Sequence, residues 1–131
     1  MNKSSKYKIL LILALIVIVL LAYFLINSKS EKLITVTVKN ESTEKVNDLN
    51  LFLSNEETFY EVSLEANEKK TVKISYNDTF HEGSLMMKYN DFDGNEHEET
   101  IIGYVEKGQS IKTTLIIKAV DAKGVIEFEV K

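Results

Sequence analysis

The chain has 131 residues and a formal net charge of −4 at pH 7, and it contains neither cysteine nor proline. The absence of cysteine excludes a disulfide framework, a cysteine-ligated zinc site and thiol chemistry. From residue 31 onward 12 lysines stand against 20 acidic residues, a net charge of −8, and repulsion by phosphates therefore counts against a nucleic-acid partner.

The most distinctive segment is the run at residues 9–26, ILLILALIVIVLLAYFLI, which has no charge, glycine or proline. As a helix it is about 27 Å long, close to the thickness of the hydrocarbon core of a bilayer. Tyr7 and Tyr23 lie near its ends, where aromatic residues favour the membrane interface. The run predicts a transmembrane helix in contact with the lipid bilayer. A cleaved signal peptide is the alternative, but the run is long and Ile26-x-Ser28 is a poor cleavage site.

The lysines that flank this run predict its orientation. Lys3, Lys6 and Lys8 precede it together with the α-amino group, and this cluster favours a cytosolic N-terminus. We therefore expect a single-pass protein of the cell membrane with a cytosolic tail at 1–8, a transmembrane helix at 9–26, a linker at 27–32 and an extracytoplasmic domain at 33–131. The exclusive use of lysine as the basic residue, with frequent asparagine and isoleucine, indicates a bacterial source.

The remainder of the chain predicts eight short strands, because apolar residues alternate with polar ones at a period of two. Strands at spacings near a dozen residues indicate a mainly β fold, an antiparallel sandwich or barrel. The residues expected to face the core are Ile34, Val36 and Val38; Leu49, Leu51 and Leu53; Tyr60, Val62 and Leu64; Val72, Ile74 and Tyr76; Leu85, Met87 and Tyr89; Thr100, Ile102 and Tyr104; Ile111, Thr113, Leu115 and Ile117; and Ile126, Phe128 and Val130.

The strongest turn signal is Asp93-Gly94, which is typical of a two-residue hairpin loop. Such a loop sets the register of the two strands that flank it. The expected pairs are Leu85 with Ile102, Met87 with Thr100, Lys88 with Glu99, and Asn90 with His97.

Four segments in this order resemble bacterial immunoglobulin-like modules of the fibronectin-III or cell-adhesion-related type. They are TVTVKNES, NDLNLFLS, EVSLEANEKKTVKI and EGSLMMKYNDFDGN, and they lie within residues 33–97. Asn67 stands where those modules usually have glycine. The resemblance implies an immunoglobulin-like β-sandwich of seven or more strands and an adhesion or assembly role, and it transfers no site residues.

The sequence contains no convincing catalytic or metal site. Asp91, Asp93 and Asn95 have calcium-like spacing, but Glu96 and Ile102 break the EF-hand pattern, so a hairpin turn is the favoured interpretation. The two histidines, His81 and His97, have no cysteine or H-x-x-x-H partner for zinc. No G-x-S-x-G motif or phosphate-binding glycine loop occurs. We expect no enzyme activity, no cofactor and no small-molecule substrate.

Four aromatic residues are candidates for a protein-contact surface. If residues 54–57 form a turn, Phe52 lies opposite Phe59 on the face away from the core, and Phe80 and Phe92 lie in predicted loops. Aromatic residues on a charged face can anchor a partner. The leading hypothesis is a non-catalytic interaction module that contacts another envelope protein or a membrane complex. The alternative is a structural or protective tethered domain, shielding or immunity-like, in which the pair is ordinary cross-strand packing.

Overall fold

A computed structural model describes residues 2–28 and 32–131 as one α-helix and eight β-strands. The chain divides into two compact units, the helix and a β-domain that begins at Lys32. Residues 29–31 of the linker predicted at 27–32 lie outside the described residues.

Helix α1 spans Lys3–Asn27 and is therefore longer than the predicted run at 9–26. The apolar run marks the lipid-compatible segment, whereas backbone hydrogen bonding continues into the polar residues before it, which include no helix breaker. The large apolar side chains between Ile9 and Ile26 are 45–71% exposed. By length and composition the helix can cross a membrane, and a signal sequence meets the same criteria.

The β-domain consists of two four-stranded sheets, which confirms the mainly β prediction. The strands are β1 (Leu33–Asn40), β2 (Val46–Leu53), β3 (Tyr60–Leu64), β4 (Lys69–Ser75), β5 (Glu82–Asn90), β6 (Glu96–Glu106), β7 (Ile111–Val120) and β8 (Ile126–Val130). Sheet I has the order β4-β1-β7-β8 and sheet II the order β3-β2-β5-β6.

One pairing departs from the purely antiparallel arrangement that we predicted. Strands β1 and β7 are parallel, whereas the other pairs are antiparallel. These two strands are not joined by a hairpin, since the chain passes through both sheets between them. Such a long crossover permits parallel pairing, which a short turn does not.

The core lies between the sheets and is built from the inward residues of both. The inward positions predicted for β1, β2 and β5 are all buried, from 0% to 3% exposed. Each fully buried leucine or isoleucine contributes about 1.5–3 kcal/mol of hydrophobic stabilisation. Asn67, at the turn before β4, has a φ of 62°, a left-handed conformation that asparagine tolerates better than most residues.

The hairpin between β5 and β6 has a three-residue loop, not the predicted two-residue one. The amide of Asp91 donates to the Asn95 carbonyl at 2.9 Å and the amide of Gly94 to the Asp91 carbonyl at 3.0 Å, while Gly94 has a φ of 84°. This is the turn followed by a left-handed residue that is common in three-residue hairpins. The longer loop shifts the register by one residue. The observed pairs are Tyr89 with His97, Lys88 with Glu98, Met87 with Glu99 and Met86 with Thr100, and a bulge beside Leu85 restores its predicted pairing with Ile102.

The longer loop and a second register shift, between Gly83 and Leu85, reverse the predicted face of two residues in β6, whereas Ile102 packs against the core as predicted. We expected Thr100 and Tyr104 to face the core, but both are exposed, and Ile101 and Val105 are buried instead. Two register shifts in this hairpin give β6 more residues than β5 over the same length. An inserted residue exchanges the two faces of a strand.

Candidate contact surface on sheet II

The outward residues of sheet II include an apolar row that crosses its strands. Strand pairing places Phe52 beside Met86, and Met86 beside Thr100, whose hydroxyl donates to the Met86 sulfur at 3.6 Å. Phe59, just before β3, completes the row: its ring centroid is 5.0 Å from that of Phe52, with the planes tilted by 48°. The predicted opposition of Phe52 and Phe59 is therefore confirmed.

The two rings differ in exposure, which we did not expect. Phe52 is 8% exposed, whereas Phe59 is 49% exposed. Phe52 lies on a central strand with Met86 and Phe59 as neighbours, so its ring belongs to the packing of the sheet. Phe59 alone of the pair presents a free aromatic surface.

Lys88 lies over this aromatic pair. Its ammonium group is 5.6 Å from the Phe52 centroid and 5.7 Å from that of Phe59. It also lies 3.3 Å from a carboxylate oxygen of Glu96 and 3.7 Å from one of Glu98. An ammonium within about 6 Å of an aromatic face is attracted by the ring quadrupole. Two rings and two carboxylates thus hold one cation on this face.

Carboxylates border the apolar row. On one side, cross-strand pairing aligns Glu61, Asn50, Lys88 and Glu98. On the other side the Tyr104 hydroxyl, on a side chain that is 57% exposed, donates to Glu82 at 2.8 Å. This hydrogen bond to a carboxylate raises the pKa of Tyr104 above its ordinary value. Tyr104 was not predicted as a surface residue, because the face predicted for it was wrong.

The other two aromatic candidates have structural roles. Phe80 lies in a loop as predicted, but it is only 3% exposed and stacks on Tyr76 with centroids 5.6 Å apart. Phe92 lies in the β5–β6 turn and is 67% exposed. Its amide donates to the Lys123 carbonyl at 2.9 Å, and it lies against Gly124, so it joins two hairpin turns. Phe80 is therefore withdrawn from the contact surface.

The acidic turn is organised by hydrogen bonds within the chain. One Asp91 oxygen accepts from the amides of Asp93 and Asn95 at 3.0 and 2.8 Å, and the other from the Asn95 side chain at 3.1 Å. The His97 ring nitrogen Nε2 lies 3.0 Å from that second oxygen. The hydrogen bond from His97, followed by those from Asn95 and Asp93, lowers the pKa of Asp91 to about 2. Within residues 2–28 and 32–131 no group of three or more His, Cys, Asp or Glu is arranged to hold a metal ion.

His97 has a different neighbour from the predicted one. It pairs with Tyr89, not Asn90, and the two rings stack with centroids 5.0 Å apart and planes 9° apart. Because a carboxylate can only accept, Nε2 carries the proton in the bond to Asp91. The histidine therefore fixes the turn, while His81 is exposed in the loop before β5.

A cavity of about 220 Å³ lies at one end of the sandwich, beside the acidic turn. Its walls include Tyr89 and Phe92, and its charged groups are Lys45, Asp48 and Asp91. Lys45 pairs with Glu65 at 2.9 Å, and the Asp91 carboxylate accepts hydrogen bonds from Asp93, Asn95 and His97. The cavity is smaller than the roughly 300–1,000 Å³ of typical ligand pockets. The apolar row of sheet II is therefore the stronger candidate site.

These features define a two-sheet β-domain that follows an apolar helix and carries an acid-bordered apolar row on one outer face. No protein-family model, curated protein or solved structure matches the chain.

Proposed function

We propose that this protein is a non-catalytic interaction module, held at a bacterial cell membrane by helix α1, that contacts an envelope protein or membrane complex through sheet II. The observation that supports this function is the exposed Phe59 ring, which lies beside the covered Phe52 on a face bordered by carboxylates. Aromatic anchors inside a polar rim are typical of protein–protein interfaces.

The distribution of exposed apolar side chains supports the choice of face. In the β-domain, Phe59, Phe92 and Tyr104 are the large apolar side chains with high exposure, and all three lie on sheet II or its turn. The outward positions on the central strands of sheet I hold mainly threonine and lysine, with Glu127 and Glu129 on edge strand β8, and Ile116 among them is only 7% exposed.

The location is proposed from the helix and its flanking charges. Helix α1 has the length and composition of a single membrane span, and Lys3, Lys6 and Lys8 favour a cytosolic N-terminus with the β-domain outside. We propose that the architecture of two packed sheets resembles an immunoglobulin-like sandwich. In the constant-type immunoglobulin order the first two strands share a sheet, whereas β1 and β2 lie in different sheets, so the proposal does not extend to strand order.

The test is cross-linking and co-purification from native membranes with the full chain. We expect wild type to capture a specific partner and Phe59→Glu to lose it, because the substitution places a charge at the exposed anchor. Phe52→Glu is unsuitable, since the Phe52 ring is part of the sheet. Thr71→Glu, an exposed outward position on edge strand β4 of sheet I, is the matched control and should retain the partner.

Thermal unfolding followed by circular dichroism checks that both variants are folded. Capture that is the same in wild type and Phe59→Glu would reject sheet II as the contact surface. That result favours the alternative function, a structural or protective tethered domain in which the aromatic pair only packs the sheet.

A further inference from the structure

The outer faces of the two sheets carry opposite charge, although acidic and basic residues are mixed along the chain. On sheet I, strand pairing aligns Lys73, Thr35 and Lys112 in one row, and Lys69, Lys39, Ile116 and Glu129 in another. The lysines of this face outnumber its carboxylates, which lie on edge strand β8 at Glu127 and Glu129. On sheet II the corresponding rows bring together carboxylates, with Lys88 as the cation between them; those carboxylates are Glu61, Glu82, Glu96, Glu98 and Glu106.

We infer that sheet II binds a cationic segment of its partner, one that places an apolar side chain on Phe59 and lysine or arginine side chains against Glu61 and Glu98. This inference rests on the proposed function, because it names the chemistry of the partner at the same surface. Charge complementarity selects partners and steers their association.

Lys88, a residue of the chain itself, shows how this surface holds a cation. Its ammonium group lies over both phenylalanine rings and between two carboxylates, and its side chain is still 27% exposed. Glu61 lies at the other end of the same cross-strand row, exposed on edge strand β3. A second cation therefore meets the same combination of a ring and a carboxylate on the Phe59 side.

A second copy of this chain is a poorer occupant, although the outer face of sheet I is basic. That face offers mainly lysines and threonines, with two glutamates on β8, and Ile116, the apolar residue at its centre, is buried. It therefore supplies the charge without a side chain to cover Phe59. Sheet I against sheet II is also a heterologous contact, which builds open chains unless its rotation closes a ring.

The experiment uses the full chain in phosphatidylcholine nanodiscs, with empty nanodiscs as the blank. The probe is a fluorescent 12-residue peptide of alternating lysine and serine with one central tryptophan, and its counterpart has glutamate in place of lysine. We expect the lysine peptide to bind at least tenfold more tightly than the glutamate peptide, with affinity that falls as salt rises.

Two matched charge reversals locate the binding. Glu61→Lys should weaken the lysine peptide at least fivefold, whereas Glu127→Lys, an exposed position on edge strand β8 of sheet I, should change its affinity less than twofold. Lys88→Gln should strengthen binding severalfold, because it removes a like charge from the surface. A purely structural lysine would not produce an increase.

The outcomes separate this inference from the proposed function. Loss of membrane capture in Phe59→Glu, with capture and peptide binding unchanged in Glu61→Lys, keeps the contact surface and overturns the cationic partner. Capture that is unchanged in both variants rejects both. If the chain instead forms concentration-dependent oligomers, and both Glu61→Lys and Lys73→Glu dissociate them, a second copy is the occupant. That result would overturn the inference.

Discussion

Sheet I and sheet II follow the same period-two alternation but present unlike outer faces. In the middle of sheet I the outward residues of the central strands are Thr35, Thr37 and Thr114, with lysines around them. In the middle of sheet II the equivalent places hold Phe52 and Met86, with glutamates around them. One face is a solvated polar surface, and the other has an aromatic layer whose exposed part is Phe59.

This difference shows that the net charge of −8 is a sum over two surfaces of opposite character. Packed sheets lie about 10 Å apart, and their outward side chains add further separation. The Debye length at physiological ionic strength is about 8 Å, so a partner at one face is largely screened from the charges of the other. The charge of the contacted face, and not of the whole domain, decides which partner is attracted.

The largest expected effect comes from placing the same charge at the centre of each outer face. Phe52→Glu should lower the free energy of unfolding by about 4 kcal/mol, because it deletes a covered ring and places a carboxylate among its former neighbours. Thr37→Glu, also at a central outward position, should change it by about 1 kcal/mol or less. Urea unfolding of the full chain in micelles, followed by the β circular-dichroism band, measures both. Equal losses would show that the two faces are packed alike.

Alternation alone was enough to predict the inward residues of β1, β2 and β5 and the opposition of Phe52 to Phe59. In these strands each residue has a defined side, and the turn after Leu53 has the length that we assumed. Such features depend on neighbours in the chain. The apolar helix was also predictable from the sequence, because compatibility with lipid depends on composition.

The remaining features depend on choices that the pattern leaves open. The sequence around Asp93-Gly94 can close a two-residue or a three-residue loop, and the Asp91 carboxylate, by accepting from Asp93 and Asn95, stabilises the longer one. The outward face of Thr100 follows from the longer loop, and that of Tyr104 from a register shift between Gly83 and Leu85 that has no clear sequence signal. The charge of each face depends on which strands become neighbours, and the parallel pairing of β1 with β7 joins residues about 77 positions apart.

A smaller effect is expected where the turns of the two sheets meet. Gly124 has a φ of 86°, and an added Cβ would lie 2.7 Å from the ring and the amide nitrogen of Phe92. Gly124→Ala should therefore lower the free energy of unfolding by about 2–4 kcal/mol, from backbone strain and steric overlap together. Gly108 has the same φ with nothing within 4 Å of its added Cβ, so Gly108→Ala should cost only the backbone strain of about 1–2 kcal/mol.

The pair is compared by urea unfolding under the conditions used for Phe52→Glu. The difference between the two alanine variants isolates the contact of Phe92 with Gly124, because the backbone strain is common to both. If the two variants lose the same stability, the turns of sheet I and sheet II are not packed against each other, and Phe92 returns to the set of free surface aromatics.

The smallest expected effect is a dependence on pH that belongs to sheet II. The pKa of Asp91 is lowered to about 2 in the folded chain, first by His97, whereas an aspartate in an unfolded chain has a pKa near 3.9. A group whose pKa is lowered by folding contributes stability above its unfolded pKa, and this contribution is lost as the pH falls through the folded value. The free energy of unfolding, measured by urea unfolding at each pH, should therefore fall between about pH 4 and pH 2, and it should fall less in Asp91→Asn.

The control is Asp121→Asn, in the equivalent turn of sheet I. It leaves the Asp91–His97 pair intact, so its free energy of unfolding should depend on pH almost as in wild type. If the free energy of unfolding depends on pH equally in wild type and Asp91→Asn, the hydrogen bond from His97 does not stabilise the turn. The turns of the two sheets would then not differ in their contribution to acid stability.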